Sequence, residues 1–509
     1  MHLSLNNSLG KWILPKEPSP FSPEATNYFS RLDAAGDTTY VDYKQPLANY
    51  IDSLVTLGGA YWDDMLTSAS FVGVGIQGIT VPLRDGMNAL TNNNFVAGDL
   101  NQLTGLKSDG STKYLDTGYI DSDLAQNNGS LSVYVDTPSS INGSFYAGTT
   151  STGNTGTFLR RRVVNPQLNV HGFLVDVGTA IIDGLVGVSR TSSTSVNART
   201  NQTNYSFTDT STTPTSDALQ IFARQSTSIS DARLATYHAG PALDLATLEG
   251  LQETLLSEIR TAHTFVAAAS YFSRLAAAGD TAHVAYKQPL TNYITSLVEL
   301  GGAYWDDMKS AASFVGVGIQ GITVPLRDGM PTLTNNNFVA GDLDQLTGLK
   351  GDGSTKSINT NWDHGTSSQD DFSVSVYPTT TTTTGYLFGA GRSGVAGVSN
   401  MSAAANCRNH AVTQKSGYSN SLAGNISGSS RSSSTGFNVR SAGTDFAATV
   451  TSQVPHSRNL FVFSRTLDGS DTAETLTDAR LATYHASSAL NLATLEGLQD
   501  TLITEIAAI

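Results

Sequence analysis

The sequence predicts a mainly β protein with α-helical parts, built from two tandem units. Three observations support this prediction: an internal repeat with an offset of 243 residues, apolar residues at helical spacing near both ends of each repeat, and alternating polar and apolar residues between them. Each unit is therefore predicted to contain a small helical module and a jelly-roll sandwich, closed by C-terminal helices.

The repeat is nearly exact at the two ends of the unit and weak in its middle. Residues 28–113 match residues 271–356 at 72 of 86 positions, and residues 231–259 match residues 478–506 at 23 of 29. The segments between these blocks share little sequence. The near-identity of the ends indicates a recent duplication, so we expect both copies to have one fold.

The first part of each unit is predicted to be helical, over residues 23–66 and 263–309. A serine followed by Pro23 is a typical helix start. A second helix begins near Pro46, where apolar residues recur at intervals of three and four until Gly58 ends the pattern.

The middle of each unit is predicted to be a sandwich of strands, over residues 67–230 and 310–477. Leu131, Val133 and Val135 alternate with polar residues, as expected of a strand with one buried face. Clusters of Gly, Asn and Ser recur about every ten residues and supply turns, a pattern typical of jelly rolls and other antiparallel sandwiches.

The last part of each unit, residues 231–262 and 478–509, is predicted to be helical again. Asp231 can cap a short helix that runs through Tyr237. A longer helix follows, because Leu248 begins an apolar stripe whose members are three or four residues apart.

Charge is scarce, and this excludes several classes of protein. Asp, Glu, Lys and Arg make up 14% of the residues, against about 25% in ordinary domains, and the net charge is −14. Nucleic-acid binders cluster Lys and Arg, whereas the one basic run here is 160–162, so no nucleic-acid partner is expected. The single cysteine, Cys407, excludes an internal disulfide and a multi-cysteine zinc site.

The sequence carries no sign of export or of membrane insertion. Its first twenty residues lack the apolar run of about 7–15 residues that a secretory signal needs. No apolar run approaches the roughly 18 residues needed to cross a membrane. We therefore expect synthesis in the cytoplasm and no membrane span.

The motif GVGIQG at residues 73–78 and 316–321 matches the dinucleotide-binding pattern G-x-G-x-x-G. That site needs a helix after the third glycine and an acidic residue about 20 positions later. Here the continuation Ile-Thr-Val is typical of a strand, and the acidic residue is missing. The expectation is a glycine-rich strand or turn packed closely against its neighbours, and no cofactor.

Other polar clusters are predicted to have structural roles, so no catalytic residue and no metal site is assigned. Adjacent carboxylates point apart in regular structure, whereas acid–base catalysis needs two carboxyls that face one cleft. Alternating Asp and Asn side chains resemble part of a calcium loop but lack its closing Glu, and the histidines of the ATYHA motif have no partner at HExxH spacing. The residues concerned are Asp63, Asp64, Asp306, Asp307, Asp116, Asp121, Asp123, Asn359, Asn361, Asp363, His238 and His485.

Sugar recognition is the remaining chemistry, because it combines aromatic faces with neutral amide and hydroxyl groups. Large aromatic side chains pair an apolar face with a polar handle. The candidate carbohydrate-binding residues are Tyr119, Tyr134, Tyr146, Trp362, Tyr377 and Tyr386, with Tyr205 and Tyr418 also available.

Several longer sequence segments follow one another in an order that is typical of a known family. They are LTGLKSDGSTKYLDTGY with its partner LTGLKGDGSTKSINT, the strand SLSVYVDT, and ISDARLATYH followed by LATLEGLQETL. Together they resemble the concanavalin A-like (laminin G-like) jelly-roll modules of tailed-bacteriophage structural proteins, and the heads with LGGAYWDDM and GITVPLRDGM are similar to the region before such modules. The resemblance covers most of residues 24–261 and 267–509.

The resemblance implies a non-enzymatic virion protein, an external appendage or a capsid or tail decoration such as a fibre, spike or knob. Its lectin-like sandwiches would face outward on the virion surface and attach to host-surface glycans. The alternative function is a polysaccharide-degrading glycoside hydrolase of the virion. It is disfavoured, because the glycosidase relatives carry an E-x-D-x-x-E-type strand that neither copy has.

The expected partners are other virion proteins of the capsid, neck or tail, a host-surface polysaccharide, and further copies of the chain in a homo-oligomer. Residues 1–22 are predicted to be an anchoring arm. Its apolar residues Trp12, Ile13 and Leu14 precede a Pro-rich spacer and would dock into another virion protein.

Overall fold

Two units, Met1–His263 and Thr264–Ile509, make up the chain in the computed structural model. Residues 1–20 of the predicted arm, with Trp12, Ile13 and Leu14, lie outside the described residues. The structure describes residues 21–149, 156–162, 166–172, 175–178, 181–224, 228–382, 384–391, 395–418, 423–466 and 470–509.

The first unit begins with two helices, α1 (Pro23–Ala34) and α2 (Lys44–Leu57). The Ser22 hydroxyl accepts a hydrogen bond from the Ala25 amide, so α1 has the serine cap and the first-position proline that the sequence predicts. α2 ends at Gly58, whose φ of 60° favours glycine. Both helical predictions are confirmed.

Antiparallel strands form the sandwich of the first unit. One sheet has the order β13-β12-β11-β6-β15-β4-β3, with β1 also paired to β15, and the other has the order β10-β9-β8-β7-β14-β5-β2. The strands are β1 (Thr67–Ser70), β2 (Thr91–Asn93), β3 (Leu100–Asn101), β4 (Gly105–Lys107), β5 (Tyr114–Ile120), β6 (Gly129–Thr137), β7 (Phe145–Thr149), β8 (Phe158–Arg160), β9 (Gln167–Asn169), β10 (Val175–Asp176), β11 (Gly184–Arg190), β12 (Ser195–Thr200), β13 (Thr203–Thr208), β14 (Ala218–Ile221) and β15 (Arg233–Gly240).

The helix α3 (Leu245–Ala277) closes the first unit, and the unit boundary falls within it. Leu248, Leu255 and Ile259 of the predicted stripe are buried. The Asn49 amide of α2 donates to the Glu258 carboxylate at 2.9 Å, so the closing helix is tied to the helical module of its own unit. None of the helices in the described ranges combines the length and the apolar character needed to span a lipid bilayer.

The second unit repeats this plan. Its helices after α3 are α4 (Lys287–Leu300) and the closing helix α5 (Leu492–Ala507). Its sheets have the orders β18-β19-β32-β21-β26-β27-β28, with β16 paired to β32, and β17-β20-β29-β22-β23-β24-β25, beside a β30-β31 pair. The strands are β16 (Ser310–Ser313), β17 (Thr334–Asn336), β18 (Leu343–Asp344), β19 (Gly348–Lys350), β20 (Ser357–Asp363), β21 (Phe372–Pro378), β22 (Tyr386–Ala390), β23 (Ser399–Ser402), β24 (Asn406–Arg408), β25 (Lys415–Ser416), β26 (Ser427–Arg431), β27 (Gly436–Ser441), β28 (Thr444–Thr449), β29 (Asn459–Val462), β30 (Arg465–Thr466), β31 (Ala473–Glu474) and β32 (Arg480–Ser487).

The predicted fold class is confirmed: the chain is mainly β with α, and each unit is a lectin-like jelly-roll sandwich with a helical module before it and a closing helix after it. The alternating run Leu131–Val135 lies in β6, with its apolar side chains buried. The order predicted from the sequence, a helical module, a sandwich and a closing helix, is therefore the order in the structure.

One predicted element is wrong, the short helix from Asp231 through Tyr237 and its copy from Asp478 through Tyr484. These segments are the strands β15 and β32. Each lies inside its sheet, paired on both sides and buried on both faces. Such a strand shows no polar–apolar alternation, so its short apolar run resembles a helix.

The GVGIQG segments are close-packed turns, as predicted. The Asp37 carboxylate is 1% exposed and accepts hydrogen bonds from the amides of Gly75 and Thr39. A Cβ atom on Gly78 would overlap that carboxylate and touch Leu32. Only glycine fits here, and the motif joins the helical module to the sandwich.

Candidate ligand-binding clefts

A cleft of about 490 Å³ opens in the first unit between the β12–β13 hairpin and the start of α3. The register pairs Asn197 with Ser206 and Arg199 with Asn204, so these four side chains lie on one face of the hairpin. The residues that line this first cleft are Thr191, Asn197, Ala198, Asn204, Ser206, Ala242, Leu243, Asp244 and Leu245.

The polar side chains of the first cleft are held in place by the protein. The Ser206 hydroxyl donates to Asn197 Oδ1 at 2.9 Å, and the Arg199 guanidinium donates to Asn204 Oδ1 at 2.7 Å. Because both amide oxygens accept from the protein, the amide NH₂ groups are the ones left to donate to a ligand. Asn204 and Ser206 are exposed and Asn197 is half-buried.

The closing helix α3 holds this hairpin in place through Glu249. Glu249 of α3 is 1% exposed and accepts from the Leu185 amide at 3.0 Å and from the Arg199 guanidinium. At the mouth of the cleft Asp244 caps α3, with Oδ1 accepting from the Ala246 amide. The position of Arg199, and through it of Asn204, thus follows from the packing of α3.

The second unit has a cleft of about 230 Å³ at the equivalent position. The Arg440 guanidinium donates to Asp445 Oδ1 at 3.0 Å and also to the Glu496 carboxylate of α5. Asn491 caps α5 by accepting from the Ala493 amide at 2.9 Å. The residues that line this second cleft are Ser430, Asn438, Asp445, Leu490, Asn491 and Leu492.

The hairpins that form the two clefts keep a common pattern inside the otherwise divergent middle of the repeat. With an offset of 241 residues, hairpin 187–208 matches hairpin 428–449 at ten of 22 positions, five of which have a role that the structure explains. The Gly, Ser and two Arg positions contact the sheet or the segment of the closing helix. The Asn position lines the cleft in both units. The matched residues are Gly187 and Gly428, Ser189 and Ser430, Arg190 and Arg431, Asn197 and Asn438, and Arg199 and Arg440.

These clefts are not among the sites predicted from the sequence, because their Ser- and Thr-rich hairpins resemble ordinary turn regions. The signal that could have found them is the match at offset 241, which differs from the offsets of 243 and 247 at the ends of the repeat. Comparing the middles at a free offset gives Asn197 and Asn438 among the ten positions that the two hairpins share.

The structure does not bring the predicted sugar-binding aromatic residues together at a cleft. Tyr146, Trp362, Tyr377 and Tyr418 are buried, at 0%, 8%, 4% and 6% exposure, so their faces are covered and they serve packing. The other four candidates are half-buried. Among the described residues, none of these eight aromatic residues lines either cleft. The half-buried ones are Tyr119, Tyr134, Tyr205 and Tyr386.

The polar residues predicted to be structural mostly have protein partners. Asp121 is buried and accepts from the Thr215 amide at 2.9 Å, with the His171 ring nitrogen 3.2 Å from its other oxygen. Burial lowers the pKa of His238 to about 4, so its imidazole is neutral at pH 7. Within the described ranges, no group of three His, Cys, Asp or Glu residues is placed to hold a metal ion.

Three other candidate groups also lie in ordinary structural positions. Asp63 Oδ2 accepts from the Gly59 amide at 2.9 Å, and Asp306 does the same for Gly302 at 2.8 Å. Cys407 is fully buried, and burial raises the pKa of its thiol to about 12. This thiol is therefore protonated and shielded at pH 7.

No protein-family model matches the sequence, and no curated protein matches it. Among solved structures, domain 4 of AbnA, a GH43 extracellular arabinanase from Geobacillus stearothermophilus in complex with arabinotriose, is 12% identical over 37% of this chain and 98% of its own, with a TM-score of 0.26. The binding domain of botulinum neurotoxin serotype D is 12% identical over 38% and 52%, with a TM-score of 0.29.

Domains LG4-5 of the mouse laminin alpha1 chain are 9% identical over 72% of this chain and 85% of their own, with a TM-score of 0.23. All three scores are low. The assignment of two lectin-like sandwiches therefore rests on the sheets of the chain itself.

Proposed function

We propose that this chain is a non-enzymatic virion protein of a tailed phage that binds host-surface glycans through the two clefts. The observation that carries the binding function is that a polar cleft recurs at the same place in both units. Asn197 and Asn438 belong to a hairpin that keeps ten of 22 positions inside the otherwise divergent middle of the repeat, and both line a cleft. Retention of an amide that lines the cleft in both units favours a role in binding.

The chemistry of the clefts suits a polyhydroxylated ligand. Amide NH₂ groups donate to sugar hydroxyl oxygens, and carboxylate and hydroxyl oxygens accept from sugar hydroxyl groups. The first cleft, at about 490 Å³, lies within the range of about 300–1,000 Å³ typical of small-molecule sites. Five of the nine residues that line the first cleft and four of the six that line the second are polar or acidic, which favours sugars over lipids or apolar cofactors.

The same lining favours binding over hydrolysis, the alternative function. Glycoside hydrolysis uses two carboxyl groups on opposite sides of the scissile bond. Asp244 is the one carboxylate among the residues that line the first cleft, and Asp445 is the one in the second. Asp244 also caps a helix, with both of its carboxylate oxygens accepting hydrogen bonds from the protein.

The virion location is proposed from the sequence resemblance. In that setting the sandwiches face outward on the virion, the partners are capsid, neck or tail proteins and further copies of the chain, and residues 1–22 anchor the protein. Two clefts in one chain, multiplied in a homo-oligomer, would raise avidity for a repetitive surface polysaccharide without any new contact.

A glycan array probed with the full chain tests the binding function. We expect binding to polysaccharide or oligosaccharide spots, and its loss in the double variant Asn197→Ala, Asn438→Ala. Both asparagines lie outside the core, so the variant is expected to fold.

The matched control is the double variant Gln77→Ala, Gln320→Ala, which changes exposed amides at equivalent positions away from the clefts. This control should bind like the original chain. Binding that survives in the Asn197→Ala, Asn438→Ala variant would reject the clefts as the site. Release of reducing sugar from a bound glycan would reject the non-enzymatic assignment.

A further inference from the structure

Each cleft has one carboxylate among the residues that line it, but the two carboxylates lie at different positions. Where the first unit has Asn204, the second has Asp445, and the same arginine position donates to each. In the first cleft the Arg199 cation faces one carboxylate, that of Glu249. In the second cleft the single arginine is shared between two carboxylates, so the group carries a net negative charge.

The Asp445 carboxylate of the second cleft is accessible. The Asp445 side chain is 57% exposed, whereas the arginine beneath it is 11% exposed. One oxygen, Oδ1, accepts from that arginine at 3.0 Å. The carboxylate therefore presents charge to solvent and to anything that enters the cleft.

The first cleft has its own carboxylate, Asp244, but this group is committed to the fold. Its Oδ1 accepts from the Ala246 amide at 3.0 Å and its Oδ2 from the Thr247 hydroxyl at 2.8 Å. A carboxylate at a helix N-terminus is also balanced by the positive end of the helix dipole. In the second unit the neutral Asn491 takes this capping position.

The clefts also differ in size and in hydroxyl content. The first measures about 490 Å³ and the second about 230 Å³. Ser206 in the first hairpin is replaced by Ala447 in the second, so the second cleft has one hydroxyl group fewer. The second cleft therefore suits a smaller ligand that is recognised more by charge and less by neutral hydrogen bonds.

We infer that the clefts have different specificities: the first takes a neutral sugar, and the second prefers a sugar that carries a protonated amine. This inference rests on the proposed glycan-binding function. An ammonium group beside a partly exposed carboxylate gains a modest attraction, which corresponds to roughly a three- to five-fold preference. Asp445 is the residue that determines the preference.

The test uses two probes that differ in the amine, glucosamine in its protonated form and N-acetylglucosamine, which is neutral. The full chain is labelled with ¹⁵N, and the side-chain NH₂ resonances of Asn197 and Asn438, assigned by substitution, report on each cleft separately. We expect glucosamine to shift the Asn438 resonance at a concentration about three- to five-fold lower than the Asn197 resonance. N-acetylglucosamine should show no such preference for the second cleft.

Reciprocal variants test the role of the single carboxylate. Asp445→Asn should abolish the preference of the second cleft for glucosamine, and Asn204→Asp should create it in the first. Both positions are exposed, so neither change disturbs the core. The Gln77→Ala, Gln320→Ala variant should leave both sets of shifts unchanged.

The outcomes separate the two proposals. If the two clefts bind both sugars equally and Asp445→Asn changes nothing, the inference on specificity is overturned while glycan binding stands. If neither sugar shifts either resonance, and the glycan array finds no spot that depends on the two asparagines, the proposed function fails and the inference fails with it.

Discussion

Acid should unfold the second unit before the first, because the second unit buries more neutral histidines. The rings of His364 and His410 pack together with their centroids 4.8 Å apart. Burial lowers the pKa of His364 to about 3 and that of His410 to about 4. Burial also lowers the pKa of His485, and of its first-unit counterpart His238, to about 4. Three such histidines therefore lie in the second unit and one in the first.

The direction of the effect follows from proton uptake on unfolding. In the unfolded chain these imidazoles are protonated below a pH of about 6.5, whereas in the folded chain they stay neutral down to about pH 4. The stability they contribute is complete above pH 6.5 and is lost as the pH falls toward 4. Carboxylates whose pKa is lowered by folding cost stability only below their unfolded pKa of about 4, outside this window.

The loss of unfolding free energy at acidic pH differs between the units. At pH 5, about 1.5 units below the unfolded pKa, each histidine costs about 2 kcal/mol. The second unit therefore loses about 6 kcal/mol and the first about 2 kcal/mol, against a typical total stability of about 5–15 kcal/mol. In the first unit His171 lies beside the Asp121 carboxylate, at 3.2 Å.

Fluorine NMR of the chain labelled with 5-fluorotryptophan measures both units in one sample. Trp62 and Trp305 occupy equivalent positions and are 7% and 5% exposed. Urea titrations at pH 7 and pH 5 give the free energy of unfolding that each resonance reports. Between pH 7 and pH 5, we expect the free energy of unfolding reported by Trp305 to fall about three times as much as that reported by Trp62.

The variant His410→Asn provides the matched control. His410 has a φ of 47°, which asparagine tolerates, and an amide can replace the ring nitrogen beside the Gln369 carbonyl. The pH dependence reported by Trp305 should fall by about a third. The reasoning is refuted if both resonances lose stability in parallel, or if His410→Asn leaves the pH dependence of the second unit unchanged.

Three further substitutions or reactions test the fold. Gly78→Ala should lower the melting temperature strongly, because its Cβ would overlap the Asp37 carboxylate, whereas Gly98→Ala, with open space around it, should not. Glu249→Ala should destabilise the first unit by about 3 kcal/mol in urea titrations, since it removes the buried carboxylate that accepts from the half-buried Arg199 and from the buried Leu185 amide. Cys407 should react with a thiol reagent such as Ellman's reagent only in urea, because the thiol is buried and its pKa is raised to about 12; rapid reaction in native buffer would contradict this placement.

The architecture was largely predictable from sequence because its signals are local. The serine and proline at the start of α1 and the alternation in β6 each follow from neighbouring residues. The error at Asp231–Tyr237 arose where the local signal is missing: β15 is paired on both sides, and its burial leaves no alternation to detect. The partners that make it a strand lie more than 90 residues earlier in the chain.

The clefts were not predictable by the same reasoning, because each combines distant segments. Asn197 and Asp244 of the first cleft are 47 residues apart and meet only when α3 packs on the sheet. The aromatic residues chosen from sequence failed for a related reason: an amphipathic ring on a strand can face the core or the solvent. In Tyr146 and Tyr377 it faces the core.

Binding stoichiometry tests the central claim, that one chain holds two glycan sites at equivalent clefts, most directly. Isothermal titration calorimetry with an oligosaccharide from a positive array spot, short enough to fill one cleft, gives the number of sites in each variant. The account predicts two sites in the original chain, one after either Asn197→Ala or Asn438→Ala, and none after both. An unchanged number of sites in the double variant would contradict it.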